Sequence, residues 1–317
     1  GLKRSGRALQ TVAGSRKETA EFLAKTITGA RNRASDASER LNRRRQSIEL
    51  LTLEPFDSAA PALGDLLTSQ QSSELQSAAI QALAGYPDNK VAGVILKPWR
   101  LYTPPVRDSA LASLMARPNR VGPLLDAIES GVIPQPQISA ARRALLLRNR
   151  DPKLRQRAVK IFAEEALSPR KEVIDDYQAA LALKGDRPRG KKVYEAACMA
   201  CHRFAGQGNE IGPDLSTVAN RTSDEILVHI VDPNREVSPN FIQYDIDLKS
   251  DESVTGVIVE ETANSIAIKT ATNERRAILR ADIQELRSSG LSLMPEGLEA
   301  AIDKQAMADL LAYLLKR

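Results

Sequence analysis

The sequence predicts a mainly α-helical protein: stacked helical pairs, then a second helical domain interrupted by a small antiparallel β insertion. Three observations carry that reading. Apolar residues recur at helical spacing in units of about 32 residues between residues 46 and 183. A Cys-x-x-Cys-His run at residues 198–202 lies in a helical stretch. Between about residues 240 and 288 the apolar period changes from 3.6 to 2, and it returns to helical spacing near the C-terminus.

The composition fits an ordinary globular chain. Of 317 residues, 42% are hydrophobic and 27% charged, which excludes a collagen, a coiled-coil rod and a wholly disordered chain. No apolar run reaches membrane-spanning length. The charge is uneven. Residues 1–45 hold twelve basic and four acidic residues, so this arm is +8 and leaves −3 for the rest of a chain that is +5 overall. The basicity is therefore assigned to the arm. It reads either as a solvated helix or linker, or as a segment touching an anionic membrane surface or an acidic partner. Nucleic acid is disfavoured, because Phe22 is the arm's only aromatic residue and no recognition motif accompanies the charge. The chain opens on Gly1-Leu2-Lys3 rather than Met and shows no signal peptide, so it reads as a mature product or a piece of a longer chain.

The repeat occupies residues 46–183. Leu51, Leu83, Leu114 and Leu146 are spaced 32, 31 and 32 apart, with Ile48, Ile80 and Leu111 in register. Pro55, Pro87, Pro118 and Pro152 follow each first helix, and proline suits the first turn of the next one. Val91, Val94 and Ile95, then Val121, Leu124 and Leu125, fall on one face of the second helices. A pair of this kind buries its apolar face only by stacking on neighbours, and the pattern resembles HEAT repeats. A plain helical bundle is the alternative. Trp99 and Tyr102, near Pro104-Pro105, read as a loop plug or a contact patch. A Gly/Pro-punctuated boundary, Lys184-Gly185-Asp186-Arg187-Pro188-Arg189-Gly190, opens the domain of residues 184–317.

That domain holds the chemistry. The chain has two cysteines and two histidines, and three of the four lie in Cys198-Met199-Ala200-Cys201-His202. Two thiols on one helical turn, followed at once by an imidazole, form the attachment pattern for c-type haem. The cysteines form thioethers, and His202 coordinates iron from one side. A redox dithiol would also use Cys-x-x-Cys, but no βαβ pattern surrounds it. A zinc site would need His229 beside Cys198, Cys201 and His202, with two ligands adjacent in sequence. One covalently attached haem c is the expected cofactor. Haem attached to reduced thiols outside the cytoplasmic membrane places the protein in the periplasm or another extracytoplasmic space.

The flanks resemble a class I cytochrome c. Residues 188–204 resemble its N-terminal helix, with Gly190 and Tyr194 where that helix crosses the C-terminal one. Residues 302–316 carry the amphipathic stripe of the latter: Met307, Leu310, Leu311, Leu314 and Leu315. Ile211-Gly212-Pro213-Asp214-Leu215 resembles the loop whose proline carbonyl accepts the Nδ1–H of the proximal histidine, which makes Pro213 the orienting residue. An ordinary turn is the alternative there. Residues 222–232 read as a capped helix. Met294, in Ser292-Leu293-Met294-Pro295-Glu296-Gly297-Leu298, occupies the class I position for the second iron ligand. His229 and an open sixth position compete with it. Arg221 is read as a haem propionate partner or as half of a surface ion pair.

The alternating stretch, including Phe241–Leu248, Val254–Glu260, Ser265–Lys269 and Arg276–Arg280, predicts four or five strands, read as a small Sm-like barrel or a packing insertion. In this order the repeats, the attachment motif, Gly-Pro-Asp-Leu, the β insertion and Ser-x-Met-Pro-x-Gly-Leu resemble the haem-binding domain family of planctomycete and verrucomicrobial secreted proteins. The specific match covers about residues 185–317. The resemblance implies a mono-haem electron carrier, with no catalytic residues of its own. Electrons would pass from a dehydrogenase domain or partner to a respiratory acceptor. Two alternatives remain: a haem-bearing assembly subunit of a larger membrane-associated complex, and a haem enzyme or gas sensor with an open sixth site.

Overall fold

In the computed structural model of the chain, residues 17–163 and 170–315 are described. The arm residues Lys3, Arg4, Arg7 and Arg16 lie outside them. Contacts divide the chain into two compact units. The first runs to Val132 and includes Glu261–Ser265 and Leu279–Glu285; the second comprises the remainder.

The first unit is helical. α1 (Lys17–Ser35) buries Leu23, Ile27, Ala30 and Ala34, one stripe at helical spacing, and packs on α2 (Leu41–Leu51). Arg44 is buried on α2, donating Nε to the Ala34 carbonyl at 2.9 Å and Nη2 to Gln71 at 2.8 Å. Of the solvated helix and the linker read for the arm, the described part is a helix: one face is packed and the other exposed, and residue 45 falls inside α2. Hydrophobic spacing in α1 outweighs its charge.

α3 (Phe56–Asp65), α4 (Ser73–Ala84), α5 (Val91–Leu96), α6 (Pro104–Met115) and α7 (Pro118–Glu129) follow. First helices pack on first helices, α2 on α4 and α4 on α6; second helices do the same, α3 on α5 and α5 on α7. Leu51, Leu83 and Leu114 are fully buried, as the 32-residue register requires. Pro104 and Pro118 open their helices, and Pro55 caps α3. Pro87 instead precedes α5 by a short turn. Trp99 and Tyr102 are buried edge to face, with centroids 6.1 Å apart, so they plug the core and form no surface patch.

The second unit contains α8 (Ala140–Leu147), α9 (Pro152–Ala163), α10 (Lys171–Tyr177), α11 (Arg187–Ala197), α12 (Ser223–Val231) and α13 (Lys304–Leu314). Its N-terminal limit, Ile133, lies well before the boundary expected near residue 184, and α10, also upstream of that boundary, shares a core with the C-terminal helix. Ile174 and Tyr177 are buried with Leu310, Leu311 and Leu314, and the Tyr177 hydroxyl lies 2.9 Å from the Glu299 and Ile302 carbonyls.

Here β1 (Arg203–Phe204) and β2 (Gln207–Gly208) form a short antiparallel pair. β3 (Ile242–Leu248), β4 (Ser253–Glu261), β5 (Ser265–Lys269), β6 (Arg275–Leu279) and β7 (Ile283–Ser292) form one sheet in the order β6-β5-β4-β3-β7. β3 alternates strictly between buried and half-buried residues, the period-2 signature read from sequence. β6 and β7 sit at opposite edges, so the sheet is open rather than a closed barrel. It reaches Ser292, beyond the expected end near residue 288, because β7 pairs along β3.

α11 crosses α13 in close contact at Gly190. A Cβ built there would lie 1.9 Å from the Asp309 carbonyl oxygen. Asp309 is buried and accepts from Arg189 Nε at 2.6 Å, the Asp186 N–H at 2.7 Å and Gln305 Nε2 at 3.0 Å. These donors, Arg189 first, hold its carboxyl below the usual range.

Gly190→Ala is expected to force the two helices apart and cost about 1–3 kcal/mol, read as a lower midpoint in thermal unfolding. Because the Asp309 carboxyl is depressed in the folded state, its stabilisation is complete above the ordinary carboxylate range and is lost as pH falls through the folded value. Asp309→Asn should therefore destabilise the protein at neutral pH and flatten the acid limb of the stability profile, as measured by urea unfolding between neutral and acidic pH.

Candidate functional site

α11 starts at Asp186, whose side chain accepts from the Arg189 N–H at 2.9 Å, and ends at Cys198. The next turn folds back on the helix. Cys201 and His202 N–H both donate to the Cys198 carbonyl, at 3.0 and 2.9 Å, so the two thiols and the imidazole share one compact turn. The Ile211 and Gly212 N–H groups donate to the Cys201 carbonyl, at 3.0 and 2.8 Å. This returns the downstream loop to the turn. Tyr194 is buried one helical turn before Cys198, with its hydroxyl 2.7 Å from the His202 carbonyl and 2.9 Å from that of Gln207. Its ring packs against Phe204 and Tyr313, with centroids 5.9 and 5.8 Å away.

His202 is 8% exposed, and its Nδ1 lies 2.9 Å from the Pro213 carbonyl oxygen. A carbonyl only accepts, so Nδ1 carries the proton and the lone pair is on Nε2. Burial lowers the basicity of His202 and outweighs the opposing effect of the Pro213 bond, so the ring is a neutral donor. Gly212 is needed beside it: a Cβ there would lie 2.5 Å from His202 Cε1.

His202, Cys198 and Cys201 line a cavity of about 330 Å³, within the range of small-molecule and cofactor sites. Ile211, Leu215, Val218, Ile226, Ile230 and Leu314 make much of its wall apolar. Met294, Arg221 and His229 line the same cavity. Burial raises the Cys198 thiol to about 11 and also raises Cys201. A redox dithiol works by a lowered thiol pKa, so this pair lacks that activation. Among the described residues, no group of three or more His, Cys, Asp or Glu side chains is placed to hold a metal ion.

Sequence reasoning missed several residues. Phe241 and Val257, from the start of the sheet and from β4, line the cavity. Asn234 Oδ1 accepts from the Ser292 N–H at 2.8 Å, and Ser292 Oγ accepts from the Met294 N–H at 3.1 Å. The loop carrying Met294 is thereby fastened to the turn after α12. No motif marks Asn234, which lies just beyond the helix read at residues 222–232.

His229 Nε2 lies 3.0 Å from Arg221 Nη1. A guanidinium has no acceptor, so the His229 nitrogen spends its lone pair on Arg221.

Two adjacent thiols, an oriented neutral imidazole and a largely apolar cavity define a domain suited to a covalently bound, histidine-coordinated haem. Residues 188–240 match the profile of the cytochrome c family. The chain is 43% identical to a cytochrome c-553-like protein of Synechocystis sp. (strain ATCC 27184 / PCC 6803 / Kazusa) over 51 residues, 16% of this chain and 48% of the relative. It is 35% identical to cytochrome c of Arabidopsis thaliana over 49 residues, 15% of this chain and 44% of the relative. The chain thus spans about half the length of these curated relatives. It carries a cytochrome c domain, and the group that such a domain binds is covalently attached haem c. Among the described residues, no helix is long and apolar enough to cross a membrane.

Gly212→Ala is expected to turn the His202 ring away from Pro213. The check is the Nδ1–H resonance of His202 in the ¹⁵N spectrum of the haem-loaded protein, which should shift or exchange rapidly with water.

Proposed function

We propose that this chain is a mono-haem c-type cytochrome of the periplasm or another extracytoplasmic space, carrying electrons from a dehydrogenase domain or partner to a respiratory acceptor. The observation that carries the proposal is the His202 ring, held by Pro213 at the wall of the cavity that also takes Cys198, Cys201 and Met294. Cys198 and Cys201 would hold the haem, and His202 and Met294 would supply a nitrogen and a sulfur to its iron. When bound, the haem supplies a one-electron iron couple. The chain's own residues fix the imidazole tautomer, keep the cavity largely apolar and hold the methionine loop through Asn234 and Ser292. The Arg221 contact with His229 favours Met294 over His229 as ligand, and it leaves a guanidinium at the cavity for a haem propionate.

The helical half is proposed to be a HEAT-like scaffold, and the order of motifs supports placing the chain with the planctomycete and verrucomicrobial haem-binding proteins. The register of α2, α4 and α6 also favours a second reading, in which the chain is an assembly subunit of a larger electron-transfer complex.

The test is a spectrum of protein from a cytochrome-c-maturing host. A pyridine haemochrome of c type at one haem per chain is expected, with the weak far-red sulfur-to-iron band when oxidised. Colourless, maturation-competent protein would overturn the proposal. Met294→Ala should lower the midpoint potential and make the ferrous spectrum sensitive to carbon monoxide, whereas His202→Ala should abolish the stable low-spin form.

A further inference from the structure

The basic charge is not confined to the N-terminal arm. Residues 133–163 hold eight basic side chains against one acid, Asp151, for a net +7. Residues 170–317 hold 19 basic and 24 acidic residues, for a net −5. The positive block is the α8–α9 hairpin, in the same compact unit as the haem site.

Arg148, Arg150, Lys153, Arg155 and Lys160 are exposed, and none has an acidic side-chain partner among the described residues. Each helix also exposes one large apolar side chain beside these cations. Leu145 is 64% exposed and lies three residues before Arg148; Val159 is 50% exposed and lies four residues after Arg155. Those spacings put each pair on one helix face.

We infer that the α8–α9 hairpin is a docking surface for an acidic face of a partner protein, and that this partner is the redox protein of the function proposed above. The inference rests on that reading for the partner's identity, not for the surface itself. Charge complementarity selects the occupant. An acidic face is drawn to a +7 hairpin and repelled by the −5 remainder of the domain, so one orientation is favoured. Six of the eight cations are arginine, the cation enriched at protein interfaces and matched to carboxylates, and exposed Leu145 and Val159 supply apolar contact points. A membrane-lying helix needs a broad apolar face, and neither helix exposes one. Single-stranded nucleic acid needs exposed aromatic rings; Phe162, the hairpin's only aromatic, is half-buried with Arg143 over its ring.

The test compares the full haem-loaded chain with R148Q/R150Q/K153Q/K160Q, which leaves Arg155 and its bond to the Asn149 carbonyl in place. The probe is a flavodoxin, a small acidic flavin-containing electron carrier. Its binding is read by interferometry, and haem reduction by the reduced carrier is read by stopped flow, at low and high salt. At low salt the variant should bind more weakly and be reduced about tenfold more slowly, with the two proteins converging at high salt. Reduction by a neutral hydroquinone should be equal for both, and K97Q/R100Q should behave as the unsubstituted chain. Equal rates and binding at low salt would overturn the inference. So would a loss confined to phosphatidylcholine–phosphatidylglycerol vesicles, or one confined to self-association in sedimentation velocity. If the carrier's binding is lost in the variant but neither protein holds a reducible haem, the docking surface stands and the electron-transfer reading falls.

Discussion

The close crossing of α11 and α13 is the constraint on which the rest of the haem domain depends. With no side chain at Gly190, the Asp309 backbone approaches α11 more closely than any Cβ would permit. Asp309, buried at the crossing, binds Arg189 and the Asp186 N–H at the start of α11. Both the separation and the axial position of α11 are therefore fixed at its N-terminal end. Cys198 closes the other end of this rigid rod. The positions of the thiols and of His202 follow from that anchoring and from the hydrogen bonds that return residues 201, 211 and 212 to the turn.

A second layer of control acts on His202. The ring is clamped between the Gly212 backbone and the Pro213 carbonyl, so its orientation does not depend on the haem. A preorganised imidazole would lose less freedom on coordination, and its Nδ1–H bond raises the electron density on Nε2. Burial acts on the cysteines in the opposite sense from a redox dithiol, keeping both thiols protonated until they are consumed. The same dry wall therefore suits a haem and disfavours free thiol chemistry.

Much of this was legible in the sequence because it is local. Cys198, Cys201 and His202 lie within one turn, Pro213 is eleven residues from His202, and the 32-residue leucine register depends only on helical spacing. The strands could be found because β3 alternates without a break. What escaped was set by contacts distant in sequence. Asn234 fastens a loop nearly sixty residues away, at Ser292. Phe241 and Val257 reach the cavity through strand pairing that periodicity does not specify. Reading the arm as a solvated helix or linker captured the exposed basic face of α1 but not Leu23, Ile27, Ala30 and Ala34, which are buried along its other side. Averaging charge over everything after residue 45 hid the +7 hairpin inside a total of −3.

That last error has a physical lesson. Net charge governs solubility, whereas partner selection depends on how the charge is arranged over distances comparable to the screening length. Part of the acidic majority of residues 170–317 is ion-paired, as in Arg189–Asp309, Arg276–Glu252 and Arg287–Asp247. Paired charges project weak fields, because each partner screens the other. Arg148, Arg150, Lys153 and Lys160 have no such partners among the described residues, so their field is less screened.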